Sequence, residues 1–489
     1  MEPAEPKRPA RGKTAMELTT DVCVIGSGAG GAPVATELAL AGAKVILIEA
    51  GGPAPLAKLG EPVFKSFRRM IAWKTAHLSV ARGIPANPIV HGRCEGGSTA
   101  LNAGSAFRLP EFLARRWEAA GTGDLREYFN RADTFLQVSA TDPQFFGRSG
   151  ELMLEGVRAK NWKGGAVPRN APGCTGRAIC VAGCPEKAKR ATHISYLPVA
   201  REHGAQVLLN TQARKLRLKG RTAAGVDAVG ANGEEITIHA GKTVVSAGAV
   251  LTPPLLERSG VEVPGLGGNF LLHPGGVLAV HFGEPIDMGG NSVPQSTYCD
   301  EFLESEGSMI LLGSVPPQLS VPALLFAGAL RDLSKVRNTA FWGALIRDEG
   351  NRGRVSATRK GRDLRYALGA GELRRLRTAL LRVGELAFAA GARAVTPILL
   401  GSKRSSSLRE LEKNLPDPLP AWRLLGGSVH PMGTCGIGRV CEGDGRVRGY
   451  EKLYVSDASL FPTSIGVNPQ FTIMALATRV AMGLLDGVG

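Results

Sequence analysis

Residues 21–52 impose the tightest constraint on what this chain can fold into. Two short, wholly apolar runs, Val22–Ile25 and Val45–Ile48, bracket Gly26-Ser27-Gly28-Ala29-Gly30-Gly31 and a segment rich in alanine and leucine. Runs of this length without polar alternation are strands buried on both faces, as in a parallel sheet. The glycines stand where a strand must turn tightly, where backbone must approach a pyrophosphate, and where a helix must pack on the strand. Pro33 falls in the first turn of that helix, where its missing N–H costs little. The helix start offers free N–H groups and a positive dipole end to phosphates. Glu49 closes the second strand in position to hold ribose hydroxyls. The unit predicts a dinucleotide-binding βαβ fold, without separating NAD from FAD.

The other end of the chain supplies chemistry for such a cofactor. A histidine, an acid and an amide occur in three loop-like stretches: Ser428-Val429-His430-Pro431-Met432-Gly433-Thr434, Ser456-Asp457-Ala458-Ser459 and Gly466-Val467-Asn468-Pro469. Oxidising an alcohol removes the hydroxyl proton as hydride leaves carbon, and a histidine that titrates near neutrality suits that task. Asn468 has the donor and acceptor to hold a substrate oxygen. The apolar helix expected over 471–482 directs its positive end at charge developing on the reduced cofactor. A structural histidine satisfied by backbone is the plain alternative for any single His.

At 489 residues the chain exceeds one compact core, and about two to three domains are expected. Residues 1–18 are polar and broken by proline, lack the apolar stretch of a secretory signal, and predict a disordered tail. A first nucleotide-binding part is expected over 19–275. Within it, Trp117–Leu136 reads as helix, Val207–Asn210 and Ala213–Leu218 as strands, and Thr243–Gly248 as a buried strand before a helix opening at Pro253. Residues 276–424 differ in texture, with alternating segments at Val277–Phe282 and Arg354–Ser356. Leu373, Leu376, Leu380, Val383 and Ala387 share one face of a helix against Arg374, Arg375 and Arg382. They predict an inserted substrate domain on an antiparallel sheet, with residues 425–489 returning to the nucleotide domain. The fold class expected is therefore α/β, a Rossmann-like cofactor domain with an α+β insert.

The net charge of +16 invites a nucleic-acid reading. Lys and Arg are spread from Lys7 to Arg479 without an RNP, helix-turn-helix or zinc-finger pattern, so no nucleic-acid partner is expected. The uncharged stretch 308–330 is interrupted by Pro316, Pro317, Pro322 and Gln318, which favours buried strand or loop over a membrane span. The apolar run Met309–Phe326 fits a substrate cavity and ordinary core equally. Eight dispersed cysteines are not a secreted disulfide scaffold, so a cytoplasmic location is expected. Peripheral membrane contact stays open.

Further blocks carry a family resemblance: Gly92-Arg93-Cys94-Glu95-Gly96-Gly97-Ser98-Thr99-Ala100-Leu101-Asn102, Val245–Pro253, and Gly268-Asn269-Phe270-Leu271-Leu272-His273-Pro274. With the two ends they resemble the glucose-methanol-choline (GMC) oxidoreductases, which are FAD enzymes. The resemblance covers 19–275 and 425–489, and the insert only loosely. It implies flavin and phosphate contacts for Gly97, Ser98 and Asn102. It implies an adenine contact for the backbone at Ala213, and ribityl and pyrophosphate contacts for Asp457 and Ala458. Leu101 stands where some members attach the flavin through histidine, which implies non-covalent FAD. His430 matches the catalytic histidine and Asn468 the second polar residue, while His273 reads as structural. The wording Phe461–Pro469 is closer to the sterol and long-chain-alcohol branches, which implies an apolar alcohol donor and oxygen or another electron acceptor. A flavin-bound lyase or light-driven decarboxylase is the non-oxidative alternative.

Cys174, Cys180 and Cys184, before Pro185, Ala188 and Lys189, form the least resolved motif. The pattern is similar to one in flavin-dependent sugar dehydrogenases that carry a three-iron cluster, which implies electron transfer to a redox partner. A compact loop of buried thiols is the bland reading, and a zinc site completed by His193 a third.

Overall fold

The structure, a computed structural model, describes residues 16–57, 65, 75–83, 85–286, 291–313, 324–327, 336–350, 353–359, 361–424 and 428–486. Most of the tail, and residues 314–323 of the apolar run with its three prolines, lie outside the described residues. Met16–Leu18, expected in the tail, already belong to the first strand, Met16–Ile25.

The βαβ unit forms as its sequence dictates. Val22–Ile25 pairs in parallel with Val45–Ile48, and both runs are buried throughout. Helix Gly31–Leu40 connects them, buried over most of its length. The sheet runs in the order Gln206–Leu208, Val45–Ile48, Met16–Ile25, Glu235–Val245, Thr222–Val229, Gln212–Lys219. Leu453–Val455 adds in parallel beside Thr243–Val245, so the C-terminal segment returns to the first sheet.

A second, nine-stranded sheet is antiparallel at every pairing. Its central member, Gly268–His281, crosses the boundary expected at 275, and Gly164–Ala166 and Ser428–Met432 join it from the flanking segments. The insert is thus built around a strand shared with the cofactor domain. Helix Ala370–Ala389 covers this sheet through Leu373, Leu376, Leu380, Val383 and Ala387. The helix expected over 117–136 is broken: Glu111–Trp117 passes through a wide turn at Glu118–Thr122, and Arg126–Leu136 starts afresh. Gly121 and Gly123, both at positive φ, make the break. Among the described residues no helix is long and apolar enough to cross a membrane.

The glycine turn is held by close backbone approach. A Cβ on Gly30 would lie 1.7 Å from the Ser456 carbonyl oxygen, and one on Gly26 2.3 Å from that of Ser246. The first turn thus seats directly on loops more than two hundred residues away. Gly30→Ala is expected to destabilise the protein by about 1–3 kcal/mol and to loosen cofactor retention, because only backbone can yield. Thermal unfolding and the flavin-to-protein absorbance ratio read both effects.

Candidate active site

His430 lies on strand Ser428–Met432, which pairs with Gly268–His281 through an irregularity. Leu271 faces Met432 and His273 faces Val429, so one residue, Leu272, stands opposite two, His430 and Pro431. This is a β-bulge, and His430 adopts φ 62° within it. Bulges bend a strand and re-aim a side chain, here the histidine. Leu272 loses its ladder partner, and its N–H donates instead to Asp348 Oδ2 at 3.3 Å, an oxygen that also accepts from Tyr366 at 2.8 Å. Asp348, 2% exposed, is a buttress that sequence reasoning missed.

His273, read from sequence as structural, is fully buried and touches His430: the two Nδ1 atoms are 3.0 Å apart. The Gly466 N–H donates to His273 Nε2 at 2.9 Å. His273 therefore carries its proton on Nδ1 and donates it to His430 Nδ1, which leaves the proton of neutral His430 on Nε2. Burial pushes His430 down to about 4, and burial with the neighbouring His430 holds His273 well below the usual range. Both rings are neutral at pH 7. Gly466 is two residues from Asn468, so one histidine ties the loop of the candidate amide to the candidate base. Asn468 is half-buried and its Oδ1 lacks a protein partner.

The residues expected to hold the cofactor gather around the glycine turn. Glu49 accepts from Ser27 N at 3.1 Å, Ser27 Oγ at 2.7 Å and Gly51 N at 2.8 Å. Ser27 Oγ also takes the Gly96 N–H at 3.0 Å, which joins the two glycine-rich loops. Gly97 crosses Gly28 so closely that a Cβ on it would stand 3.1 Å from the Gly28 Cα. A Cβ on Gly26, Gly30 or Gly31 would meet backbone oxygen within 2.3 Å, whereas one on Gly28 would find nothing nearer than Gly97 Cα at 4.0 Å. Gly28 and the neighbouring Ala29 thus leave an open cradle of backbone of the kind a pyrophosphate requires.

Asn102 is oriented by backbone: its Oδ1 accepts from Gly104 N at 3.0 Å, so its Nδ2 donates to Gln470 Oε1. Lys189, 2% exposed, donates to the carbonyls of Ala100 at 2.9 Å and of Asn102 and Cys180 at 2.8 Å. Burial lowers it to about 8. It clamps the loop of Asn102 to the cysteine segment, a role its motif did not reveal. Ser98 takes the Gly92 N–H at 3.0 Å. Asp457, 5% exposed, accepts from Gly248 N at 2.8 Å, Thr252 Oγ1 at 2.6 Å and Ser459 N at 2.8 Å. Its carboxylate is occupied by the chain's own donors, and it pins the loop of Ala458, whose carbonyl accepts from Gly433 N. Burial raises its pKa against these hydrogen bonds. Ala213 lies in strand Gln212–Lys219, two residues after Thr211, whose N–H bonds the Glu49 carbonyl.

The iron–sulfur and zinc readings are corrected. Among the described residues no three His, Cys, Asp or Glu side chains converge to hold a metal. Buried Arg169 instead donates to Cys180 Sγ at 3.3 Å, and Lys189 holds the Cys180 carbonyl. The thiols of Cys174, Cys180 and Cys184 are free. The His193 ring lies against Gly96, with Nδ1 2.8 Å from the position of a Cβ there.

Family models described as GMC oxidoreductase match residues 47–275 and 350–477. An uncharacterized GMC-type oxidoreductase of Mycobacterium tuberculosis is 36% identical over 94% of this chain and 75% of its own length. The chain belongs to the GMC oxidoreductase family. A second GMC-type oxidoreductase, from Sinorhizobium fredii, is 33% identical over 96% of this chain and 95% of its own. A long-chain-alcohol oxidase of Arabidopsis thaliana is 27% identical over 96% and 69%. Two solved structures share the fold: a formate oxidase of Aspergillus oryzae, TM-score 0.73, 14% identical over 97% of this chain and 99% of that one, and a pyridoxine 4-oxidase of Mesorbium loti, TM-score 0.70, 17% identical over 96% and 99%. GMC oxidoreductases bind FAD, and the open backbone at Gly28 beside buried Glu49 fits a dinucleotide in this member.

Two measurements test this arrangement. Asp348→Ala is expected to cost about 1–3 kcal/mol in chemical denaturation, since it leaves the buried Leu272 N–H without an acceptor, and Asp348→Asn less. His430 and His193 are both depressed to about 4 by burial. Between about pH 4 and 6.5 these two histidines therefore bind fewer protons in the folded chain than in the unfolded one. Stability is expected to be full above about pH 6.5 and to fall as pH drops toward about 4. A melting temperature independent of pH across that window would contradict it.

Proposed function

We propose that this GMC oxidoreductase oxidises the CH–OH group of an apolar alcohol, with His430 handling the hydroxyl proton and Asn468 holding the oxygen. The observation that carries the reading is the chain of contacts from Gly466 through His273 to His430, which couples both polar residues at one end of the shared strand. FAD, when bound, supplies the acceptor for the hydride. Gly26–Gly31, Glu49, Gly97, Ser98, Asn102, Ala213 and the loop Asp457–Ala458 are the residues assigned to hold it, without a covalent link.

His430 presents Nε2–H in the arrangement seen, so it can donate to a substrate oxygen but has no free lone pair there. Proton acceptance at Nε2 uses the opposite arrangement, with protons on His430 Nδ1 and His273 Nε2. Gly466 N–H then gives up its acceptor. His273 is thus a positioning residue that selects which face of His430 is basic.

A cavity of about 280 Å³ opens beside Val467, next to Asn468. Phe107, Phe112, Leu303, Met309 and Val467 give it an apolar wall, while charged side chains, Lys163, Asp300 and Glu304 among them, make up half of the lining. This wall and the likeness to long-chain-alcohol oxidases support an apolar donor.

Anaerobic mixing of FAD-loaded protein with long-chain alcohols, sterols, aryl alcohols and sugars tests the proposal through bleaching of the flavin band. Long-chain or sterol alcohols are expected to bleach it and sugars to leave it unchanged. His430→Ala is expected to slow bleaching by at least about 100-fold. His273→Ala is expected to shift the pH dependence of the same rate. An unaltered rate in His430→Ala would reject the role given to that residue. Admitting air afterwards shows whether oxygen restores the flavin.

A further inference from the structure

The hairpin Ala76–Ala81 and Asn87–Gly92 departs from ordinary strand patterning. A strand that covers a core shows apolar residues inward and polar ones outward. Here the inward side is filled by Ser79, Ala81, Asn87 and Ile89, all under 5% exposed, with Ala81 and Ile89 packing on Phe270, Leu272, Val355 and Leu364. The outward side is apolar as well. Leu78 faces Val90 and Val80 faces Pro88 across the ladder. Leu78 is 60% exposed, Val80 50% and Val90 65%, and Pro88 is exposed too. These four side chains form one contiguous apolar face toward solvent, which a soluble surface normally avoids.

The position of this face gives it meaning. Asn87–Gly92 packs beside strand Ser428–Met432, which carries His430, and Val429 on that strand is itself 43% exposed. The apolar face therefore borders the candidate active site. Its rim is basic. Arg82 continues the outward period of Leu78 and Val80, bridges to Arg365, and shares Asp363 with it. The side chains of Arg82 and Arg365 are 68% and 71% exposed, against 15% for the carboxylate they share. Arg354 and Arg359 are exposed on the adjoining hairpin, with Glu257 the nearest acid to Arg354 at 3.9 Å. Guanidinium groups outnumber carboxylates around an apolar centre.

We propose that this hairpin face docks on an anionic lipid surface, with Leu78, Val80, Pro88 and Val90 entering the headgroup boundary and Arg82 and Arg365 meeting lipid phosphates. An apolar centre with a cationic rim matches a bilayer that is oily within and anionic at its surface. A twofold contact between two copies would instead bring the same arginines against each other. Docking stands on the surface alone. Its consequence, that an alcohol dissolved in the bilayer meets the site without crossing water, rests on the alcohol-oxidation reading, and the two fail separately: one by sedimentation, the other by flavin bleaching.

The test uses the full FAD-loaded chain and sedimentable vesicles of phosphatidylcholine alone or with about 30% phosphatidylglycerol. Wild type is expected to pellet with the anionic vesicles and to be released by salt. L78S/V80S/V90S is expected to remain in the supernatant while keeping its bound flavin and melting temperature. R82Q/R365Q retains the apolar face, so it stays informative if the triple variant misfolds, and it is expected to bind about tenfold more weakly. The proposal is overturned if wild type ignores anionic vesicles or if both variants pellet as wild type does. It is overturned equally if, without lipid, wild type sediments as a dimer that the triple variant dissolves, which would make the face a self-interface.

Discussion

The structure depends on how closely the Gly26–Gly31 turn approaches backbone from elsewhere in the chain. Gly30 lies so near Ser456 that the space between them holds no methyl group, and Gly26 and Gly31 are similarly confined by Ser246 and by the turn itself. Ser456 Oγ donates to the Gly30 carbonyl at 3.1 Å, which locks the contact. Because this contact leaves no slack, the loop of Asp457 and Ala458 and the helix Gln470–Asp486 are set against the glycine turn. The loops of the candidate site inherit their position from a packing constraint.

The second sheet meets this frame through one long strand. Gly268–His281 pairs with Gly353–Thr358, Thr339–Ile346 and Ala394–Pro397 and with the His430 strand. Its break at Leu272 is where the site is made, since an extra residue on the partner strand turns His430 out of the ladder. The cost of that irregularity is met by Asp348, which satisfies the N–H left over. A buried acid on the insert thus sustains a histidine of the cofactor-side segment, which is why the two regions are not separable units.

Much of this was legible in the sequence, and the exceptions share a cause. The βαβ unit could be read because its requirements are local: apolar strands, glycines at fixed offsets, an acid at a strand end. Helix Ala370–Ala389 could be read from its single face. The bulge at His430 could not, since it is defined by a mismatch with Leu271–His273, more than 150 residues earlier in the chain. The contact between His273 and His430 has the same origin. Cysteine spacing at 174, 180 and 184 left three readings open because spacing does not say which way thiols point, or that Arg169 donates to one of them. The resemblance implies a cofactor contact for Asp457, yet its oxygens are turned to Gly248, Thr252 and Ser459. The hairpin face was not legible because nothing in the local sequence says which side of the strands Leu78, Val80 and Val90 leave toward solvent.

The Gly30–Ser456 contact also has a temporal side. Its partners lie 426 residues apart, so at ribosomal rates of about 5–20 residues per second the turn is made roughly 20–90 s before the loop that closes on it. During that interval the first strands have their neighbours from the βαβ unit but lack Leu453–Val455 and the final helix. Maturation therefore waits on residues 453–486, and a ribosome that stalls before them leaves a nascent protein whose first sheet is formed but whose glycine turn is unsealed.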